Sequence, residues 1–98
     1  MKVEYADDRY RRMAEDPHDT GGFDIALVKV YRKRVQYILD AVDERDFYAM
    51  KSLHYEKLKG DREGQHSMRL NDQWRLILKV ATNDEGKRVV ILSITDYH

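Results

Sequence analysis

Two hydrophobic periods divide the chain. Between residues 24 and 42 apolar side chains recur every three or four positions, at Leu27, Val28, Tyr31, Val35, Ile38, Leu39 and Val42. That spacing predicts a helix with one apolar stripe, capped by Asp24 and running to about Val42. Lys29, Arg32, Lys33 and Gln36 fall mostly off the stripe. Asp7 to Glu15 predicts a shorter helix. Asp7 and Asp8 suit the positive end of its dipole, and Arg11 and Arg12 suit the later turns. Between the two helices, Asp16-Pro17-His18-Asp19-Thr20-Gly21-Gly22 holds the only proline in the sequence and predicts a loop. The pair makes a helical hairpin able to lie across a sheet.

From Leu53 onward the period falls to two. Leu53–Leu58, His66–Leu70, Trp74–Val80 and Arg88–Thr95 read as strands, with turns at Gly60–Gly64 and Asn83–Gly86. Residues 43–51 stay open, with Phe47, Tyr48 and Met50 as possible anchors. The hairpin at Asn71 has two registers. A two-residue loop mixes apolar and polar side chains on each face. A three-residue loop, Asn71-Asp72-Gln73, puts Met68, Leu70, Trp74, Leu76 and Leu78 on one face. Ser67, Arg69, Arg75, Ile77 and Lys79 then share the other. Burial selects the second register, because a one-residue slip exchanges the faces. It also sets Arg69 beside Arg75, an unfavourable pairing for stability alone. Either both are solvated or paired with acids such as Asp61 or Glu63, or together they form an anion site. The fold class expected is α+β: a helical hairpin packed on one face of a small, twisted antiparallel sheet, as one domain over residues 1–98.

Charge adds a modest asymmetry. The formal net charge is zero, yet residues 51–98 carry nine Lys/Arg against seven Asp/Glu. The excess concentrates between Lys51 and Lys79. Cysteine is absent, so neither a disulfide frame nor a thiolate metal site is available. No apolar run approaches a membrane span, and the first residues lack a signal-peptide core, so the cytoplasm is the expected location.

The stretch Leu58-Lys59-Gly60-Asp61-Arg62-Glu63-Gly64-Gln65-His66-Ser67-Met68-Arg69-Leu70-Asn71-Asp72-Gln73-Trp74-Arg75-Leu76 resembles the signature of HigB-type toxins of the RelE/ParE superfamily, the plasmid maintenance killer family. The terminal Asp96-Tyr97-His98 resembles the same family's last motif. The resemblance implies a toxin of a type II toxin–antitoxin system that cleaves messenger RNA in the ribosomal A site. It implies no cofactor or metal. The implied partners are ribosome and messenger RNA and a cognate antitoxin, often of the helix-turn-helix, HigA-like type, through which alone operator DNA is met. A gyrase-inhibiting, ParE-like activity and an inert antitoxin partner in autoregulation are the competing readings. An Asp-Tyr-His end favours the nuclease, because the other two need no acid–base group.

By the same resemblance Lys59 takes the place of a strand-end lysine, and Arg69 and Arg75 take the two basic positions of the central hairpin. Lys57 and Arg62 are further candidates for phosphate. Two departures stand out. Glu56 occupies the position where some members carry a histidine, with His54 two residues earlier on the face expected of an ideal strand. Ser67 stands where RelE proper has a lysine. RNA brings its own nucleophile, the 2′-hydroxyl, so the protein must remove that proton, hold the phosphate and protonate the leaving oxygen. His98 is the first candidate for acid or base, since histidine titrates near neutrality. Asp96 orients it or is itself the base. Tyr97 stacks on a nucleobase or offers its hydroxyl, and Arg75 stabilises the transition state. Ideal alternation places Asp96 and His98 with Val90, Leu92 and Ile94, the expected core face, so either the strand bends or the motif works at the sheet edge. Arg32-Lys33-Arg34 reads as a solvated helix face. The basic sheet face is a natural seat for an acidic or apolar antitoxin segment.

Overall fold

The computed structural model describes residues 1–97. Its elements are β1 (Lys2–Tyr5), α1 (Asp8–Glu15), α2 (Ile25–Asp40), α3 (Arg45–Ala49), β2 (Glu56–Lys57), β3 (His66–Arg69), β4 (Trp74–Asn83) and β5 (Gly86–Asp96), with 3-10 turns at Lys51–Leu53 and Gly60–Arg62. The sheet runs β1-β5-β4-β3-β2. All pairs are antiparallel except β1 with β5, which is parallel. This is the α+β arrangement that the two hydrophobic periods predict, with one strand added. Among the described residues no helix is long and apolar enough to cross a membrane.

Both helix starts follow the caps. Asp7 accepts from the Arg9 amide, and Asp24 from the Ala26 amide. From α2, Leu27, Val28, Tyr31, Val35 and Ile38 enter the core; they meet Tyr10 and Met13 of α1 and Met68, Leu76, Leu78, Val89, Ile91 and Ile94 of the sheet. Leu39 and Val42 do not. They are 46% and 82% exposed, because α2 ends at Asp40 and the chain turns away. Arg32 is no solvated helix residue. Its guanidinium donates to the carbonyls of Met13, Asp16 and Asp19 at 2.8–3.1 Å, tying the C-terminal end of α1 and the following loop to α2. Gly21, at φ +59°, lets that loop fold over Met13; a Cβ there would collide with the Met13 sulfur.

The strand expected over Leu53–Leu58 shrinks to Glu56–Lys57. Leu53 belongs to a 3-10 turn, and His54 follows it in the left-handed region, φ +46°. The expected alternation therefore does not carry His54 onto the face of Glu56. In β5 the expected inward set is also corrected: Val89 and Ile91 are fully buried, whereas Val90 and Leu92 are only partly so. Leu78 pairs with Ile91 but Ile77 pairs with Ser93, so Leu92 is an extra, unpaired residue. This bulge changes the parity of β5 and returns Ile94 to the core. The Tyr10 hydroxyl accepts from the Ile94 amide at 3.2 Å and fixes the strand just beyond the bulge.

Candidate active site

The β3–β4 hairpin adopts the three-residue loop. Met68 faces Leu76 and Arg69 faces Arg75. The Leu70 amide donates to the Trp74 carbonyl at 3.0 Å. Trp74 is anchored by an edge-to-face contact with Phe23, centroids 5.7 Å apart, which docks the α1–α2 loop against this end of the sheet. On the other side of the sheet the cross-strand rows are Glu56–Ser67–Ile77–Ser93 and Arg69–Arg75–Thr95. Ser67 and Ile77 are nonetheless buried, at 4% exposure each, because this face is a groove and not a flat surface. The groove encloses about 280 Å3 and is lined by Leu58, Arg62, Ser67, Arg75, Ile77, Thr95, Asp96 and Tyr97.

Arg75 stands at the centre. Its guanidinium lies 4.4 Å from the Tyr97 ring centroid. One of its terminal nitrogens donates to the Asn71 carbonyl at 2.8 Å and the Trp74 carbonyl at 3.3 Å. Arg69 donates to the same Asn71 carbonyl at 3.3 Å and pairs with Asp72, not with Asp61 or Glu63. Arg34 reaches in from α2 and donates to the Arg69 carbonyl at 3.3 Å. Burial, and then the charge of Arg69, hold the Arg34 guanidinium below its ordinary pKa. Cations are thus gathered at the hairpin tip, and among the described residues Arg75 has no carboxylate partner within 4.0 Å.

The end of β5 completes the groove. The Tyr97 amide donates to the Gln73 carbonyl at 2.7 Å, so strand pairing continues past Asp96. Gln73 also donates through its side-chain amide to Asp96 at 3.2 Å. Tyr97 is 54% exposed and presents one ring face to Arg75. Asp96 and Tyr97 therefore sit at the end of the two central strands, with pairing to β4 kept through Tyr97. His98 lies outside the described residues.

The remaining candidates divide. Arg62 comes into the groove from the 3-10 turn. Glu56 lies opposite Ser67, next to the Arg75 row, and among the described residues it forms no ion pair, with Arg62 or any other cation. Lys59 and Lys57 are not brought to Arg75. They line an adjoining depression of about 380 Å3 with Leu58, Gly60 and Glu63. Lys57 is opposite His66, whose ring stacks on Tyr55 at 4.8 Å. His54 is exposed and not part of the groove. A more open depression of about 430 Å3 between α2 and α3, lined by Lys33, Gln36, Tyr37, Asp40, Ala41 and Asp46, shares none of these residues. Among the described residues no three His, Cys, Asp or Glu side chains are grouped to hold a metal ion. Asn71 and Gln73 were not among the sequence candidates, although an Asn at a turn after a strand is a signal for a side chain that bonds its own backbone.

The family profile of RelE-like toxins of the type II toxin–antitoxin system HigB matches residues 3–98. The chain belongs to the HigB-like toxins. It is a toxin of a type II toxin–antitoxin system, as the signature through Arg75 implies. No curated protein sequence matches it. Solved structures share its fold. A YoeB/ParE toxin from Agrobacterium tumefaciens is 18% identical, with all of both chains covered and a TM-score of 0.58. A YoeB–YefM complex from Staphylococcus aureus is 20% identical over 100% of this chain and 97% of that one, TM-score 0.60. YafQ from E. coli is 13% identical over 97% of this chain and 91% of that one, TM-score 0.58.

Proposed function

We propose that this HigB-like toxin is a ribosome-dependent endoribonuclease, cutting messenger RNA in the A site with side chains alone. The observation that carries the reading is the Arg75 guanidinium stacked on Tyr97 inside the groove and bonded, among the described residues, to backbone carbonyls. Such a cation keeps its charge for an anion from outside. In the reaction a base takes the proton of the 2′-hydroxyl, and the 2′-oxygen attacks the adjoining phosphorus. The bond to the 5′-oxygen breaks, leaving a 2′,3′-cyclic phosphate, and an acid returns a proton to that oxygen. Arg75 and Arg69 bear the charge that grows on the phosphate. Tyr97, with Arg75 on one ring face, offers the other to a nucleobase. Asp96, oriented by Gln73, supplies the carboxylate of the groove, and Glu56, opposite Ser67 on the neighbouring strand, is a second candidate base. His98 takes the acid–base role that the family resemblance implies. Arg62, Lys59 and Lys57 guide the flanking phosphates.

The partners follow the same reading: ribosome and messenger RNA as substrate, and a cognate HigA-like antitoxin as neutraliser in the cytoplasm, with operator DNA reached only through it. The S. aureus structure of YoeB bound to YefM supports an antitoxin partner for a toxin of this fold. Primer extension on translated messages tests the activity. Cuts within codons that appear only with ribosomes are expected. Arg75→Ala should lower the cutting rate by about 10²–10³-fold with an unchanged unfolding midpoint. Intact messages beside inhibited gyrase supercoiling would sink the proposal.

A further inference from the structure

The hairpin tip holds more order than a three-residue loop requires. The Asn71 side-chain oxygen accepts from the Gln73 amide at 2.9 Å and the Trp74 amide at 2.8 Å. The Asn71 and Leu70 amides in turn donate to the Trp74 carbonyl, at 3.4 and 3.0 Å. These bonds close the turn from both sides and determine where the Asn71 carbonyl points. It points at two guanidinium groups, Arg75 at 2.8 Å and Arg69 at 3.3 Å. A carbonyl oxygen has two lone pairs, enough for both donors.

Resting on the nuclease reading, we infer that Asn71 is a positioning residue of the cleavage site. Its side chain locks the turn, and its carbonyl then gathers the arginine pair where one phosphate can be gripped. Two like charges on neighbouring strands repel, and without a shared acceptor they splay apart. Asp72 offsets part of the charge of Arg69, whereas the neutral Asn71 carbonyl holds Arg75 beside it and leaves the charge of Arg75 in place. Asn71 itself is exposed and outside the groove lining, so it acts through Arg75 and Arg69 and not on the substrate. The same turn serves the other half of the site, since Gln73 carries Asp96 and the Tyr97 amide. Alanine at position 71 lacks the oxygen. Serine keeps a hydroxyl oxygen that accepts from the following amides and adds no charge beside the arginines, so Asn71→Ser restores part of the lock.

The test is a double-mutant cycle on ribosome-bound messenger RNA under single-turnover conditions. Misplaced catalytic groups cost up to about 10²-fold, so Asn71→Ala should lower the cutting rate by ~10–100-fold while half-saturation by ribosomes moves less than about threefold. Asn71→Ser should recover part of the rate. In an Arg75→Ala background, Asn71→Ala should cost little more, because the group it positions is gone. An undiminished rate in Asn71→Ala, an equal loss in Asn71→Ser, or a full additional loss on top of Arg75→Ala overturns the inference. Nuclear magnetic resonance of the Arg75 guanidinium supplies a readout that needs no cleavage. Its N–H signals should be resolved in the wild type, lost in Asn71→Ala and regained in part in Asn71→Ser. If the wild-type protein cuts nothing, the nuclease proposal fails, and these signals still decide whether Asn71 holds Arg75.

Discussion

At the scale of single residues, the cross-strand pair Arg69–Arg75 was legible before any coordinates, because only one register buries Met68, Leu70, Leu76 and Leu78 together. What each arginine bonds was not legible. It depends on how three loop residues curl, which places Asp72 on Arg69 and the Asn71 carbonyl between both. His66 shows the same limit. Its position on β3 follows from periodicity, but its stack on Tyr55 depends on the turn that brings Tyr55 over it. Burial pushes the His66 pKa below its ordinary 6.5, against the attraction of Glu44 and with the repulsion of Lys57. The fold therefore favours the neutral ring. Below pH 6.5 the unfolded chain binds a proton that the folded one resists, so this contribution is complete above that value and is lost as pH falls from it through the lower pKa of the folded state. The carboxylate of Asp43, held down at about 2 by Arg45, titrates far below that window. His66→Phe keeps a ring on Tyr55 and removes the proton site. Urea unfolding at about pH 7.5 and about pH 5 should show a smaller drop in midpoint for this variant than for the wild type. An equal drop would assign the acid sensitivity elsewhere.

At the scale of elements, α1, α2, β3 and β4 form where capping and periodicity put them. The misses lie where a partner far along the chain decides. β1 has four residues, too few for a pattern, and exists because Lys2–Tyr5 pair with Arg88–Ile91. The Leu92 bulge arises where β5 must match β4 while keeping both Ile91 and Ile94 in the core. Arg32 is the element-scale counterpart. Periodicity sets it beside the stripe, and the fold uses it to satisfy carbonyls left over at the end of α1. Replacing Arg32 by Met removes these bonds while keeping a long stem. It should cost about 1.5–3 kcal/mol of stability, within the range for hydrogen bonds to a charged group. Lys33→Met on the exposed side should stay within about 0.5 kcal/mol. Thermal unfolding compares the two, and equal midpoints would refute the tie.

At the scale of the whole molecule, zero net charge hides a local excess. Arg34, Arg69 and Arg75 meet at one hairpin tip, Arg62 joins the groove, and Lys57 and Lys59 line the depression beside it. If this path follows an RNA strand, affinity falls as salt rises, with a log–log slope of about −0.7 for each phosphate neutralised. Arg62→Ala should flatten the slope by about that amount in a filter-binding titration with single-stranded RNA. Lys29→Ala, on α2 and outside the groove lining, should leave it unchanged. The sequence by itself determined the class of fold, the hairpin register and the pairing of Arg69 with Arg75, because helix and strand periods and the need to bury one face are local, additive constraints. The tertiary structure decided that Tyr97 would stack on Arg75, that Asn71 would hold the arginine pair, and that Lys57 and His54 would stand apart. Those outcomes turn on a bulge, a left-handed residue and a loop whose conformations are selected only when distant strands and helices close around one core.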